Sequence, residues 1–335
     1  MEEPKIINLW YLSGNPYGGW ASYTSHLARG LSSLGHKVVI RKLVDTERDG
    51  VVRDFGYGVK YTSTCKTKDF TDIEGKHVIV ALQKNHIWSA RILMRELEAD
   101  IVLHDPAELK SDVVYSVLEY QPKVIVIRTT NLGMIPGAKN VHFVPHPYVP
   151  TYCHYEEGHR GWRCISISRV DFDKNTDILL DANRLGSNIK IFGFENRIYT
   201  RFNLIPDYPE WEQSKGHFEK GETSAVDLCR RSDFVADMST ISGDGGGTQY
   251  TFLEAMDAGS TLILNKGWIR DGGVMTPGTN CLAILDGRQL NGLLDNSDAG
   301  FPWGSELDDI RESGFELVRK HDATKMAKEF IDALS

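Results

Sequence analysis

Between Gly243 and Leu264 a glycine-rich loop, a helix-forming segment and a β-branched strand follow one another without a break. The residues are Gly243-Asp244-Gly245-Gly246-Gly247-Thr248-Gln249-Tyr250-Thr251-Phe252-Leu253-Glu254-Ala255-Met256-Asp257-Ala258-Gly259, then Thr261-Leu262-Ile263-Leu264. Loop, helix and strand in that order belong to a βαβ unit, which commits the neighbouring segments to a mostly parallel sheet. Glycines ahead of a helix leave backbone N–H groups free to face an anion, and the helix dipole adds to the attraction. A carboxylate in the first two turns, Glu254, can accept two hydrogen bonds from a vicinal diol such as a ribose. Phosphate and ribose recognised together point to a nucleotide. The plainer alternative is a loop and a core helix with a surface glutamate.

The rest of the chain repeats the alternation. Strand-like residues 5–12 lead into a glycine loop at 13–19. A helix follows at 21–34, with Leu27, Leu31 and Leu34 at helical spacing and Gly35 as its stop. Apolar runs at 37–43, 77–82, 101–104 and 123–128 read as further strands, with helices at 89–97 and 111–119. Val144-Pro145-His146-Pro147-Tyr148-Val149-Pro150 interrupts the pattern as a linker does. A second alternation then gives strands at 164–167, 189–192, 234–236 and 261–264, and helices at 176–183, 224–230 and 248–258. Residues 305–334 read as largely helical. The expected fold is α/β, with two Rossmann-like domains, mostly parallel sheets and a cleft between them. The N-terminal domain spans 1–148 and the C-terminal domain 160–312, and ligands are expected beyond the carboxyl ends of the strands.

Composition narrows the class. At 335 residues, 41% hydrophobic and 25% charged, the chain can build two ordinary cores, and disorder is excluded. No apolar run reaches the length of a membrane span, so no stable membrane insertion is expected. The acidic start, Met1-Glu2-Glu3, runs into a strand without a secretory pattern, and the five cysteines show no CxxC pair. A cytoplasmic setting is expected, the host cytoplasm if the chain is phage-encoded. The net charge of −8 is uneven: residues 1–150 balance at +2 and residues 151–335 at −10. From Lys37 to Lys68 there are eight Lys or Arg against four acids, Arg41, Lys42 and Arg53 among them, with Phe55, Tyr57 and Tyr61 interleaved. Cations among aromatics suit a polyanion with stackable bases; the alternative is an ordinary solvated loop.

Three further constellations carry chemistry. Ser13-Gly14-Asn15-Pro16-Tyr17-Gly18-Gly19-Trp20 follows the first strand, lacks the GxGxxG spacing, and lets backbone approach a ligand closely. That disfavours a nicotinamide enzyme. In Ser168-Arg169-Val170-Asp171-Phe172-Asp173-Lys174-Asn175-Thr176 a strand ends, two cations stand five residues apart and a helix begins. Arg169 and Lys174 aimed at one spot can neutralise a diphosphate leaving group. Leu103-His104-Asp105-Pro106 ends an apolar strand with a histidine able to hydrogen-bond a substrate hydroxyl, or simply to serve the core.

Together these residues resemble the retaining GT-B glycosyltransferases of the family-4 type. The match is carried by Gly18-Gly19 before a helix that ends Leu34-Gly35-His36-Lys37-Val38, by Arg169 and Lys174, by Gly193 after a strand, and by Leu253-Glu254-Ala255-Met256 before Gly259. The resemblance implies a hexosyl- or pentosyltransferase that takes a nucleotide sugar, a UDP-sugar, as donor and has no obligatory cofactor or metal. It also implies a C-terminal helix, about residues 315–335, that crosses back to the N-terminal domain. By position, Arg169 and Lys174 hold the diphosphate, Glu254 the ribose and His104 the transferred sugar. Gly18 and Gly19 make room near the phosphates, with Gly245, Gly246, Gly247, Tyr250 and Thr251 completing the donor site. One departure stands out. Members carry a second acid eight positions before the ribose-binding glutamate, where this chain has Gly246. Either Asp244 replaces it or backbone N–H groups of 245–247 hold the sugar. A narrower resemblance, through Gln249-Tyr250-Thr251-Phe252-Leu253-Glu254 and Phe192-Gly193-Phe194-Glu195-Asn196-Arg197, is to phage α-glycosyltransferases that modify hydroxymethylcytosine in DNA. It implies double-stranded DNA carrying hydroxymethylated bases as partner, and the basic stretch with its aromatics then supplies the expected grip, through Arg41, Lys42, Arg53 and Tyr57. The alternatives are a glycan, lipid or small-molecule acceptor, or an inactive nucleotide-sugar-binding module.

Overall fold

The structure, a computed structural model, describes residues 5–14, 18–44, 49–56, 58–65, 69–104, 118–133, 135, 138–151, 161–217, 225–240, 247–295 and 304–335. The chain divides into two compact units, Met1–Val149 with Lys320–Ser335, and Pro150–Arg319.

The first unit is built on an eight-stranded sheet. Its strands are β1 (Ile6–Leu12), β2 (Lys37–Val44), β3 (Val52–Gly56), β4 (Val59–Cys65), β5 (Lys76–Leu82), β6 (Asp100–Leu103), β7 (Val124–Val126) and β8 (Val141–Phe143), in the order β3-β4-β2-β1-β5-β6-β7-β8. Every pairing is parallel except β3 with β4. The strand order reverses direction between β1 and β5. Right-handed crossovers therefore put helix α1 (Gly19–Ser33) and helix α2 (Ile87–Leu97) on opposite faces. The α2 face is filled by Trp10, Ile79, Leu93, Met94 and Ile101. β3 and β4 are an antiparallel edge ribbon where the sequence suggests a solvated loop. Their alternation is masked by charges at Arg53, Asp54 and Lys60.

The chain's last helix belongs to this unit. Ala323–Leu334 packs along α1, and its entry is a bridge between Tyr148 and Asp322: Tyr148 N–H donates to His321 O, and Ala323 N–H to Tyr148 O, both at 2.7 Å. Asp322 caps the helix by accepting from Thr324 and Lys325 N–H. The close approach depends on Gly30 of α1, where a Cβ would stand 2.1 Å from the Ala323 carbonyl oxygen.

The second unit has a fully parallel five-stranded sheet. β9 (Trp162–Ser166), β10 (Lys190–Ile191), β11 (Ser232–Asp237), β12 (Thr261–Asn265) and β13 (Leu282–Ile284) lie in the order β10-β9-β11-β12-β13. Helices α3 (Thr176–Arg184), α4 (Arg197–Tyr199), α5 (Trp211–Ser214), α6 (Ala225–Arg230), α7 (Tyr250–Asp257), α8 (Gly287–Leu294) and α9 (Ser305–Lys320) surround it, and the C-terminal helix Ala323–Leu334 is α10. Leu179, Leu180, Phe234, Ile263, Leu290 and Leu293 form the centre of the core. β13 and α8 were not evident in the sequence, since Leu282–Ile284 is too short a run to stand out.

Candidate functional site

In both units the parallel strands deliver their following loops to one sheet edge, where α/β proteins bind ligands. In the second unit that edge gathers residues 167–175 after β9, 193–196 after β10, 238–240 and 247–249 after β11, and 266–268 after β12.

The loop after β9 holds both expected phosphate-binding cations, in different settings. Lys174 is buried, and its Nζ donates to Ser239 Oγ at 2.7 Å. Ser239 in turn donates to the Asp237 carboxylate, which also accepts from Ser239 N–H at 2.9 Å. Asn175, with a positive φ of 42°, bonds Met238 O and Thr240 Oγ1 through its amide. Thr240 N–H donates to Asp173 O. The β9 and β11 loops are thus laced together around Lys174. Arg169 is exposed and turned to acids, with Nη1 3.0 Å from Asp171 and Nη2 3.7 Å from Asp173. Asp171 also accepts from Phe172 N–H and Asn196 Nδ2, which fixes the carboxylate that holds Arg169. Gly193 is required where these loops meet: a Cβ there would lie 2.1 Å from Ser168 O.

Helix α7 brings up the third group. Its N-cap, Gln249, makes no side-chain cap bond, and the positive end of the helix dipole faces the loop that precedes it. Tyr250 and Glu254 are buried and Thr251 half-buried. Burial first, and then the neighbouring Asp257, push the Glu254 carboxyl up to about 7. Asp257 is satisfied by Thr151, through N–H at 2.8 Å and Oγ1 at 2.6 Å. No described residue hydrogen-bonds the Glu254 carboxylate. Gly247, the last glycine of the loop, is pinned by Trp268, whose indole N–H donates to Gly247 O at 3.0 Å while its ring packs edge-on against Phe252. Nothing in the sequence marked Trp268; its role depends on a contact across 21 residues. Asp244, Gly245 and Gly246 lie outside the described residues, as does Tyr57.

In the first unit, Gly18 has φ 93° and its carbonyl accepts from Ala21 and Ser22 N–H to open α1; Gly19 is exposed beside it. Gly14 N–H donates to Gln83 Oε1 at 3.1 Å. His104 is buried after β6, and its Nε2 lies 2.7 Å from Val80 O. A carbonyl only accepts, so Nε2 carries a proton and donates it to Val80 O. Tyr23 packs edge-on against it at 4.6 Å, and Trp20 lies 6.2 Å away. His146, within 6.5 Å of Tyr23, is held well below the usual histidine range by burial and then by Arg128. His26 is pushed down to about 3, chiefly by burial. His26 and His146 are therefore uncharged around neutral pH. On α2, Trp88 is an exposed aromatic that sequence reasoning passed over.

The cations expected to grip a polyanion divide. Arg41 pairs in register with Trp10, and its Nε donates to Asn8 Oδ1 at 2.7 Å and its Nη1 to Thr64 Oγ1 at 3.4 Å. Lys42, the next residue, points to the opposite face, where Nζ donates to Gly14 O at 3.4 Å and lies over Tyr11 and Tyr61. Arg53 is exposed on the edge strand β3. Arg41 and Lys42 therefore lie on opposite faces of the sheet.

No family model matches the chain, and no curated protein sequence matches it. Solved structures do. HepE from Anabaena in complex with UDP and glucose matches 98% of this chain and 99% of its own length at 12% identity and a TM-score of 0.70. A glycosyltransferase from Rickettsia africae covers 99% and 98% at 12% identity, TM-score 0.67. An α-glucosyltransferase in complex with UDP and a 13-mer DNA containing an HMU base covers 99% and 99% at 12% identity, TM-score 0.70. The chain has the two-unit GT-B fold of these glycosyltransferases. No described helix is long and apolar enough to cross a membrane.

Proposed function

We propose that the chain is a retaining glycosyltransferase that moves a sugar from a UDP-sugar to the hydroxymethyl group of a modified pyrimidine, 5-hydroxymethylcytosine, in DNA. The observation that carries the reading is Glu254: a buried carboxylate with no described hydrogen-bond partner, one turn into a helix whose N-cap Gln249 makes no side-chain cap bond and whose preceding glycine is pinned. Helix N–H donors suit the diphosphate and the carboxylate suits the ribose diol. Lys174, anchored by Ser239, brings a fixed cation to the same sheet edge. Arg169 is itself exposed, so its side chain can leave the part-buried Asp171 and Asp173 to meet the diphosphate at modest cost. UDP and UDP-glucose in complexes of the same fold support the donor, and the DNA-bound complex supports the acceptor.

In the reaction the bond from the anomeric carbon to the diphosphate oxygen breaks, and a bond to the acceptor oxygen forms on the same face. The acceptor proton passes to the departing phosphate oxygen, so no enzymic nucleophile is needed. The chain's share is positioning and stabilisation of charge on the leaving diphosphate. His104, held through Nε2 by Val80 O, is the residue proposed to meet a hydroxyl of the transferred sugar.

The test offers hydroxymethylated and plain DNA with a panel of nucleotide sugars. Addition of one sugar mass to hydroxymethylated DNA only, with α configuration by NMR, is expected. Transfer to a glycan or lipid with none to modified DNA overturns the acceptor, and UDP binding without hydrolysis or transfer overturns the enzyme.

A further inference from the structure

The segment after β10 carries an apolar, cationic ridge that donor chemistry does not use. Phe194, Ile198 and Phe202 are 74%, 64% and 66% exposed. Tyr199, Thr200 and Leu204 are buried and fasten the segment to its unit. Scattered surface apolar groups are ordinary, whereas here three bulky ones are exposed within nine residues of one segment. Its backbone over Thr200–Leu204 is a π-helical turn, a form concentrated at functional sites.

Charge sets what can cover the ridge. Glu195 is the one acid between positions 194 and 206, and it is taken up by Lys215 at 2.8 Å and the Trp211 indole at 3.4 Å. Arg197 and Arg201 are exposed and form no ion pair with a described residue, and Arg201 lies over the Phe202 ring at 5.4 Å. The ridge also adjoins the Arg169 loop. Val170 N–H donates to Phe194 O at 3.0 Å, Asn196 N–H to Val170 O at 2.9 Å, and Phe172 packs edge-on against Tyr199 at 5.1 Å.

We propose that this ridge docks the polynucleotide acceptor, with bases stacking on Phe194 and Phe202 and phosphates taken by Arg197 and Arg201. The inference rests on the DNA-acceptor reading above. Rings interleaved with free guanidiniums are what an unstacked strand requires, and flipping a base for a glycosyl acceptor site leaves neighbouring bases to be stacked. A bilayer-seated helix keeps its cations on the face opposite its apolar side chains. Here Arg197 and Arg201 alternate with Ile198 and Phe202 on the solvent side of an eight-residue helical stretch, 197–204.

The experiment compares the wild-type chain with I198S/F202S and R197E/R201E, measuring KM for hydroxymethylated DNA, DNA affinity at several salt concentrations, UDP affinity, and sedimentation with anionic vesicles. I198S/F202S is expected to raise the KM for DNA by at least about tenfold with UDP affinity unchanged, and R197E/R201E to flatten the salt dependence of DNA binding. Wild-type transfer to DNA with unchanged KM and DNA affinity in both variants overturns the ridge. Absence of wild-type transfer to any DNA overturns the acceptor reading instead, and the ridge is then decided by DNA affinity alone. Vesicle binding that disappears in I198S/F202S while DNA affinity stays put overturns it in favour of a lipid surface.

Discussion

Lys174 reaches the carboxyl edge of its sheet as a donor to Ser239, 2.7 Å away, and Ser239 passes the contact on to Asp237. Holding a flexible ammonium this way lowers the entropy lost when it meets a phosphate, and it leaves two N–H donors for the ligand. Lys174→Ala is expected to lower kcat/KM by roughly 30- to 1000-fold, the equivalent of about 2–4 kcal/mol for one desolvated donor. Arg169→Ala should fall in the same range without loss of thermal stability, because the side chain is exposed. Ser239→Ala leaves the charge but not its anchor, so a smaller loss of about tenfold is expected. Steady-state kinetics with melting curves check all three, and near-wild-type rates in the two cation variants would remove the leaving-group role.

Glu254 gives a pH signature. Its folded carboxyl is raised to about 7, so the unfolded chain gives up this proton at lower pH than the folded one. Stability from this group is full below the ordinary carboxyl range and is lost as pH rises towards 7, by up to about 3 kcal/mol. A ribose diol favours the ionised form, so UDP binding should release protons near pH 6.5 and tighten as pH approaches 7. Glu254→Gln is expected to bind UDP more weakly, to lose the proton release, and to melt higher than wild type at pH 8. Calorimetry in buffers of different ionisation enthalpy reads the protons; equal release in both proteins would make Glu254 a structural residue.

Trp268 tests the pinned glycine. Trp268→Phe keeps an aromatic ring against Phe252 and removes only the indole donor to Gly247. A net loss of about 1 kcal/mol in stability is expected for one buried hydrogen bond. KM for the donor should rise several-fold, since Gly247 directly precedes the anion-facing helix end. An unchanged KM would separate the loop from donor binding.

The parallel alternation was legible because buried strands of this kind are short apolar runs between glycine stops, as in Val78–Leu82 or Leu262–Leu264. Glu254 and Lys174 were legible because loop and helix share one continuous stretch of chain. What escaped were relations across the chain. Ser239 anchors Lys174 from 65 residues away, and Asp171 claims Arg169 through a backbone turn. β3 and β4 escaped because an edge ribbon carries charge on its open side. Arg41 and Lys42 looked like one basic patch until the pleat set them on opposite faces.

That pleat separates two roles within the basic stretch. Arg41 is half-buried, bonded to Asn8 and Thr64, and its guanidinium is held below its usual range chiefly by burial. Removing it orphans the Asn8 side-chain oxygen at a fully buried position, so Arg41→Ala should cost about 1–3 kcal/mol of stability. Any fall in DNA affinity should then follow the loss of folded protein. Arg53 is exposed on the sheet edge, where phosphate contacts cost no core packing. Arg53→Glu is expected to leave the melting temperature within a degree or two, to weaken DNA binding, and to reduce the salt slope by about one charge. Denaturant titration paired with salt-dependent DNA binding separates the two. A stable Arg41→Ala with a reduced salt slope would return Arg41 to the binding surface, and an Arg53→Glu that binds DNA with an unaltered slope would remove the edge ribbon from it.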